Sequence, residues 1–416
     1  MSELPPRITE IPVVPPGSTK GARLRATLPS FTKRLTFILA FILVVFGMLA
    51  LMPQLAQQIA YSWNVGAERA KAEVARGFLA DNPLAAVEQR TVWVAKAVSP
   101  SVVGIRAIIP LPPEARGRGR ADSAGIDHFD GIGSGVVVDA QGYILTNSHV
   151  VASADIILVR LSDGREVEAI KVGQDSAADL AVLRINMDDL EAIPWGDSRQ
   201  AVVGEQVVAI GSPYNLQQTV TSGIISATER YSPVLSAGGG GGRRGNRRSS
   251  QEFLQTDAAI NPGNSGGALV DMNGKLIGIC TAIYSQSGGN SGIGFAIPSF
   301  VAKRIYDEIV SHGQVQHGWL GVDYGYVTAF QSQQMKQKKP TGAVITRVRS
   351  GSPAMEASLK RGDIILKWGE TEINDPLQLS HMVLLAKPGT QETVEVFRDG
   401  ELLNVDITVG VRPTDL

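Results

Sequence analysis

TDAAINPGNSGGAL, residues 256–269, decides how the rest of the chain is read. Ser265 follows Gly263 and Asn264 and precedes the pair Gly266 and Gly267. Glycines on both sides let the backbone turn tightly, expose a side-chain hydroxyl and converge successive N–H groups on one point. An attacking serine needs such donors, because negative charge builds on the substrate oxygen as the new bond forms. The apolar run GKLIGICTAI at 274–283 follows as a strand, so the turn is held on a rigid element.

A nucleophilic serine also needs a base. His149 closes the apolar stretch YILTNSHVV, residues 143–151. Asp179 opens another, ADLAVL at 178–183. A carboxylate there is costly to bury without a partner. An imidazole Nδ1–H would be that partner, fixing the tautomer and stabilising the imidazolium. Taken singly, His149 reads as a structural histidine and Asp179 as an ordinary turn aspartate, with Asp175 a nearby competitor. Order narrows the choice. Asp179 lies 30 residues after His149 (179 − 149) and Ser265 lies 86 further on (265 − 179), the chain order of the chymotrypsin arrangement. Protonating such a base in mild acid would stop it, so activity should fall there.

Around these motifs the texture is short Val/Ile runs separated by Gly, Asp and Asn. Examples are SVVGIRAII, GSGVVVDAQGYILT and EQVVAIGSP. Close spacing predicts a barrel or sandwich, not βαβ units. PSFVAKRIYDEIVSHG predicts a helix with Phe300, Val301, Ile305, Ile309 and Val310 on one face, stopped by Gly313. Two Gly/Arg-rich inserts, 112–131 and 236–251, read as mobile loops. Leu35 to Pro53 carries no charge, is long enough to span a bilayer, and follows Lys20, Arg23, Arg25, Lys33 and Arg34. This predicts a transmembrane helix with a cytoplasmic N-terminus, against the alternative of a cleaved signal peptide.

The chain has 416 residues and a formal net charge of −1, which gives no electrostatic case for nucleic acid. Cys280 is its single cysteine, so neither an internal disulfide nor a cysteine-built zinc site is available. It reads as a small packing residue. The expected division is a cytoplasmic tail at 1–34, the transmembrane helix at 35–53, a stalk at 54–90, a catalytic unit at 91–313 and a smaller unit at 316–412.

TNSHVV, DLAVL and TDAAINPGNSGGAL together resemble the three catalytic blocks of the HtrA/Deg serine proteases, and the likeness runs from about 92 to 410. GWLGV at 318–322, followed by SGSPAMEASLKRGDIILKWGETEI, resembles the start and core of a PDZ domain. The resemblance implies a mainly β protein: a chymotrypsin-like double β-barrel, then a small α+β PDZ domain. It implies Ser265 as nucleophile, His149 as base and Asp179 as orienting acid. The N–H groups of Gly263 and Ser265 would form the oxyanion hole, with Asn264 in the same turn. Ile260, Ile279, Thr281 and Ile283 match a specificity pocket without an acid, suited to small aliphatic P1 residues. Trp319, Leu320, Gly321 and Val322 would bind a peptide C-terminus as an added strand. No metal or cofactor is implied. A single anchor, protease and PDZ domain resemble the DegS-like branch: homotrimeric, facing the periplasm from the inner membrane, and acting on misfolded or regulatory envelope proteins under peptide control. The rival reading is a chaperone or peptide-binding scaffold with little cleavage.

Overall fold

The computed structural model describes residues 87–110, 128–213, 218–232, 251–261, 263–283, 292–337 and 339–413, with scattered positions between 52 and 77. The chain divides into two compact units, 1–62 and 63–416. In the first, only Met52 is described, so the predicted tail and nearly all of the predicted transmembrane helix lie outside the described residues. No described helix is long and apolar enough to cross a membrane.

In the second unit, scattered helical positions between 66 and 77 precede α1 (Val87–Val98), which crosses the expected boundary at residue 90. Six strands then close a barrel in the order β1-β2-β3-β6-β5-β4. They are β1 (Val102–Pro110), β2 (His128–Val137), β3 (Tyr143–Thr146), β4 (Ile156–Arg160), β5 (Glu166–Asp175) and β6 (Leu180–Arg184). A one-turn helix, α2 (Ser148–Val151), follows β3. A second closed barrel runs β10-β11-β12-β9-β8-β7. Its strands are β7 (Gln206–Gly211), β8 (Thr219–Ser232), β9 (Gln251–Thr256), β10 (Ala268–Asp271), β11 (Leu276–Ile283) and β12 (Gly294–Pro298).

Period-two alternation sorts the cores. On β6, Ala181 and Leu183 fill the first barrel while Leu180 and Val182 face a shared cluster. On β7, Val207 and Ala209 fill the second barrel while Val208 and Ile210 face the same shared cluster. That shared cluster also takes Val94 and Val98 of α1 and the inner face of α3 (Ser299–His312). Burying each large aliphatic side chain contributes roughly 1.5–3 kcal/mol, so the barrels are fixed against one another as firmly as within themselves. α3 stops where expected: Gly313 takes φ +75° and its N–H returns to Ile309 O. Its buried face is Val301, Ala302, Ile305, Tyr306 and Ile309. Val310, assigned to that face from sequence, is 37% exposed, because at 3.6 residues per turn it falls beyond Tyr306, at the edge of the stripe.

Two loop expectations need correction at their edges. Residues 128–131, read as part of the first insert, belong to β2, where His128 pairs with Pro110. Gln251, read as the last residue of the second insert, opens β9 and is buried. In both cases polar residues at a strand end look like loop in sequence. The rest of each insert lies outside the described residues.

The remaining chain builds one more layer. β13 (Gly318–Trp319), β14 (Val322–Tyr326) and α4 (Ala329–Gln334) come first, then β15 (Ala343–Val348) and α5 (Pro353–Glu356). β16 (Ile364–Trp368), β17 (Thr371–Glu372), α6 (Pro376–Leu385), β18 (Gln391–Arg398), β19 (Glu401–Thr408) and β20 (Gly410–Val411) complete it. The main sheet runs β14-β15-β16-β18-β19, so β14 is an edge strand. α6 packs against β14 and β15 on one side and against β8 and β9 of the second barrel on another.

Candidate active site between the two barrels

Asp179 ends the turn between β5 and β6 with φ +52°, a left-handed conformation that costs a non-glycine residue on the order of 1 kcal/mol or more. The surroundings hold it there. Its carbonyl accepts from Ser148 N–H (3.1 Å) and from the Asn147 side-chain amide (3.0 Å). Its carboxylate accepts the His149 backbone N–H at Oδ1 (3.0 Å) and faces His149 Nδ1 at 3.0 and 2.8 Å. The Thr281 hydroxyl donates to Oδ2 at 2.9 Å. Asp179 is thus buried with a full set of donors, and the imidazole is held by Nδ1, leaving Nε2 without a partner among the described residues. The histidine side chain is 38% exposed, so Nε2 is accessible. Asp175, the competing acid, does not meet His149; it meets His317.

Ser265 sits in a turn locked from two sides. Gly266 N–H donates to Cys280 O (2.7 Å), and Cys280 N–H donates to Gly267 O (2.9 Å). From the first barrel, Ser134 N–H donates to Ser265 O (2.7 Å) and the Ser134 hydroxyl donates to Gly263 O (2.5 Å). Ser134 Oγ in turn accepts from Ser212 N–H at 2.8 Å. Two of the glycines are obligatory. Gly263 has φ +105° and a Cβ there would lie 2.6 Å from the Pro213 Cβ. Gly266 has φ +84° and its Cβ would lie 2.1 Å from Ser134 O. Within the turn, Asn264 N–H donates to Asn261 O (3.0 Å) and its side-chain amide donates to Ala259 O (3.3 Å), so the Asn264 backbone N–H is spent inside the turn. Gly263 N–H and Ser265 N–H have no acceptor among the described residues.

The Ser265 hydroxyl donates to Thr281 O at 3.1 Å and not to His149. Thr281, expected in the specificity pocket, therefore links the two halves of the site: its hydroxyl serves Asp179 and its carbonyl receives Ser265. The other expected pocket residues are dispersed. Ile260 is buried in the second-barrel cluster with Cys280, and a Cβ on Gly294 would touch its Cγ1 at 2.6 Å. Ile279 is buried in the shared cluster, because neighbouring residues on β11 face opposite sides of the strand. The side chain of Ile283 lies outside the described residues. Ser134 was missed in the sequence; its signal was the glycine-spaced run GIGSG at 131–135, which permits close approach of another backbone. Burial pushes the Cys280 thiol up to about 12, which leaves it protonated and inert.

The second candidate surface lies at β13–β14. Leu320 is buried in the core of the small domain, and its carbonyl accepts from Ala354 N–H at 3.0 Å. Gly321 takes φ +75°, with its would-be Cβ 2.2 Å from the Ser352 Cβ, and its carbonyl accepts from Arg349 N–H at 2.8 Å. The N–H groups of Leu320 and Gly321 have no acceptor among the described residues. They lie at the start of β14, the edge strand against which α6 packs.

A trypsin-like peptidase domain matches residues 133–279, and a PDZ domain matches residues 320–409. The HtrA-type protease AlgW, solved with a tripeptide, is 39% identical with a TM-score of 0.64, over 78% of this chain and 97% of that one. This chain belongs to the HtrA-type protease family. The serine endoprotease from Yersinia pestis is a further structural relative, 34% identical with a TM-score of 0.54, over 78% of this chain and 98% of that one. A probable periplasmic serine endoprotease, DegP-like, from Hahella chejuensis is 42% identical over 283 residues, 68% of this chain and 58% of that protein. The chain spans about 60% of the length of such curated HtrA relatives.

Proposed function

We propose that this protein is a serine endopeptidase in which Ser265 attacks the scissile carbonyl, His149 Nε2 takes its proton, and Asp179 orients the imidazole. The observation that carries the reading is His149 Nδ1 on the Asp179 carboxylate with Nε2 left open. Attack requires the Ser265 hydroxyl to leave Thr281 O and turn to Nε2. Side-chain rotations of this kind take picoseconds to nanoseconds, so the present rotamer is no barrier to catalysis. The open N–H groups of Gly263 and Ser265 would receive the oxyanion. Protonated imidazole then delivers its proton to the leaving amine, and water resolves the acyl-enzyme by the same route. Ile260 would form an apolar wall of the P1 site and favour small aliphatic side chains.

The PDZ groove would take an extended peptide C-terminus, its carboxylate on the Leu320 and Gly321 amides and its backbone along β14. AlgW structures with a tripeptide and with a decapeptide support peptide binding in this family. The periplasmic relatives support an extracytoplasmic site of action, and the uncharged run 35–53 behind a basic segment supports a retained anchor in the inner membrane. In this reading the enzyme is a homotrimer that cleaves misfolded or regulatory envelope proteins when a peptide engages the PDZ domain.

The test uses the detergent-solubilised full chain on unfolded casein, with a fluorophosphonate reagent as active-site label. Wild type should degrade casein and take one label at Ser265, while Ser265→Ala does neither. Equal degradation by both forms would sink the protease reading and leave the chaperone or scaffold.

A further inference from the structure

The turn from Asp175 to Asp179 is held at its other end by groups that no catalytic motif contains. His317, in the segment joining α3 to β13, places Nε2 3.0 Å from Asp175 Oδ1 and 2.9 Å from Oδ2. Both side chains are nearly out of solvent, at 12% and 5% exposed. Asp175 Oδ1 also accepts Ala177 N–H at 3.0 Å, which closes the turn. On the opposite ring edge, His317 Nδ1 faces the Leu384 carbonyl at 3.3 Å. Leu384 lies in the last turn of α6, the helix that flanks the β14 groove. Arg304 donates to the next carbonyl, Leu385 O, so two basic side chains hold the end of this helix, where its dipole favours positive charge.

A second tie reaches the same turn from β9. The Gln251 amide is buried and donates to Ala178 O, the residue before Asp179, at 2.7 Å. The adjacent Glu252 meets His381 of α6, with Oε2 3.2 Å from Nε2 and out of hydrogen-bond alignment. The Tyr231 ring stacks obliquely on His381, its centroid 5.7 Å away. Burial, reinforced by Glu252, pushes the Tyr231 phenol up, so it stays neutral. The turn bearing a residue at φ +52° is therefore gripped at one end by His317, which touches α6, and at the other by Gln251, whose neighbour Glu252 does.

We propose that His317 is a positioning residue for proteolysis: by pinning Asp175 to the end of α6, it holds the 175–179 turn so that the Asp179 carboxylate meets His149 Nδ1. The inference rests on the reading of Asp179 as the orienting acid. A misplacement of about 1 Å costs on the order of a hundredfold in rate, so a partly relaxed turn should cost about tenfold. Loss of the pin acts on chemistry and not on substrate binding, so it lowers kcat and spares KM.

The experiment measures kcat and KM on a short chromogenic peptide with the full chain in detergent, for wild type, His317→Ala, His317→Gln, Asp179→Asn and the double variant. Thermal unfolding is followed in parallel. His317→Ala should lower kcat about tenfold at unchanged KM, and His317→Gln, which keeps an N–H donor, should return most of it. In the Asp179→Asn background His317→Ala should have no further effect. The downfield proton resonance of His149 Nδ1–H should shift or broaden in His317→Ala. Wild-type kcat in His317→Ala overturns the proposal. So does a tenfold loss that persists unchanged in the Asp179→Asn background, which would be a general structural effect. If Asp179→Asn itself retains full activity, the orienting-acid reading fails, and that result is distinct from either outcome at His317.

Discussion

Two histidine–carboxylate pairs lie four residues apart on one turn, and they are built for opposite ends. His149 grips Asp179 through Nδ1 and leaves Nε2 open, with the ring 38% exposed. His317 grips Asp175 through Nε2, turns Nδ1 to a helix carbonyl, and is 12% exposed. Distance and burial of the acids are similar. On the proposed reading, what separates the group that moves a proton from the one that fastens two domains is whether a ring nitrogen remains unspent.

The widest gap should open between the two aspartates. Asp179→Asn should lower kcat about ten-thousandfold, since an amide disfavours the tautomer that the base requires. Asp175→Asn should lower it tenfold or less. Equal losses, read on the same peptide substrate, would erase the distinction between the pairs.

A third carboxylate sharpens the contrast. Asp363 is buried and takes Arg398 in a two-pronged pair, 2.6 Å at each nitrogen, plus Lys360 N–H at 2.8 Å. The bonded carboxylate holds the Arg398 guanidinium above its ordinary range. Asp363→Ala leaves that partly exposed cation with Ser358 O alone and removes the acceptor of Lys360 N–H, and should destabilise the PDZ domain by about 1–3 kcal/mol, read as a lower Tm for that domain. Hydrolysis of a short peptide should stay within about threefold, because this acid does not touch the turn. A loss as large as that of Asp175→Asn would mean that any damage to the PDZ domain, not the His317 contact, slows the enzyme.

Thr281→Val removes the donor to Asp179 Oδ2 while keeping the carbonyl that receives Ser265. Roughly tenfold loss of kcat is expected, near the 1.5 kcal/mol of one charged hydrogen bond. No loss would show that the His149 contacts suffice to hold the carboxylate. The smallest expected effect is none at all: Cys280, with its thiol pushed up to about 12, should resist iodoacetamide at pH 8 in the folded protein and react fully in denaturant. Alkylation of the native form would mean that the Ile260 cluster is open to solvent.

The pairing of His149 with Asp179, and the glycine-flanked turn proposed to carry the nucleophile, were legible because each member sits in a local pattern. Ser265 has its glycines, His149 its strand end, Asp179 its apolar run, and the resemblance joined them. The barrels were legible for the same reason, since alternation is a local signal. His317 and His381 were not, because a lone histidine carries no pattern and their partners lie far away, 142 residues in the case of Asp175. Gln251 was hidden in polar sequence that looks like loop until β9 pairs it. Thr281 was placed in a pocket because β11 was read without its register; the strand shifts register between Cys280 and Ala282, which turns the threonine toward Asp179.

The 142-residue separation of Asp175 and His317 also sets a clock. At roughly 5–20 residues per second of synthesis, the acid turn is made about 7–28 seconds before the imidazole that pins it. A nascent chain can close both barrels in that interval yet lack its last fastening. If His317 has the proposed positioning role, the order of the residues along the ribosome's product delays full cutting power until the linker between α3 and β13 has emerged.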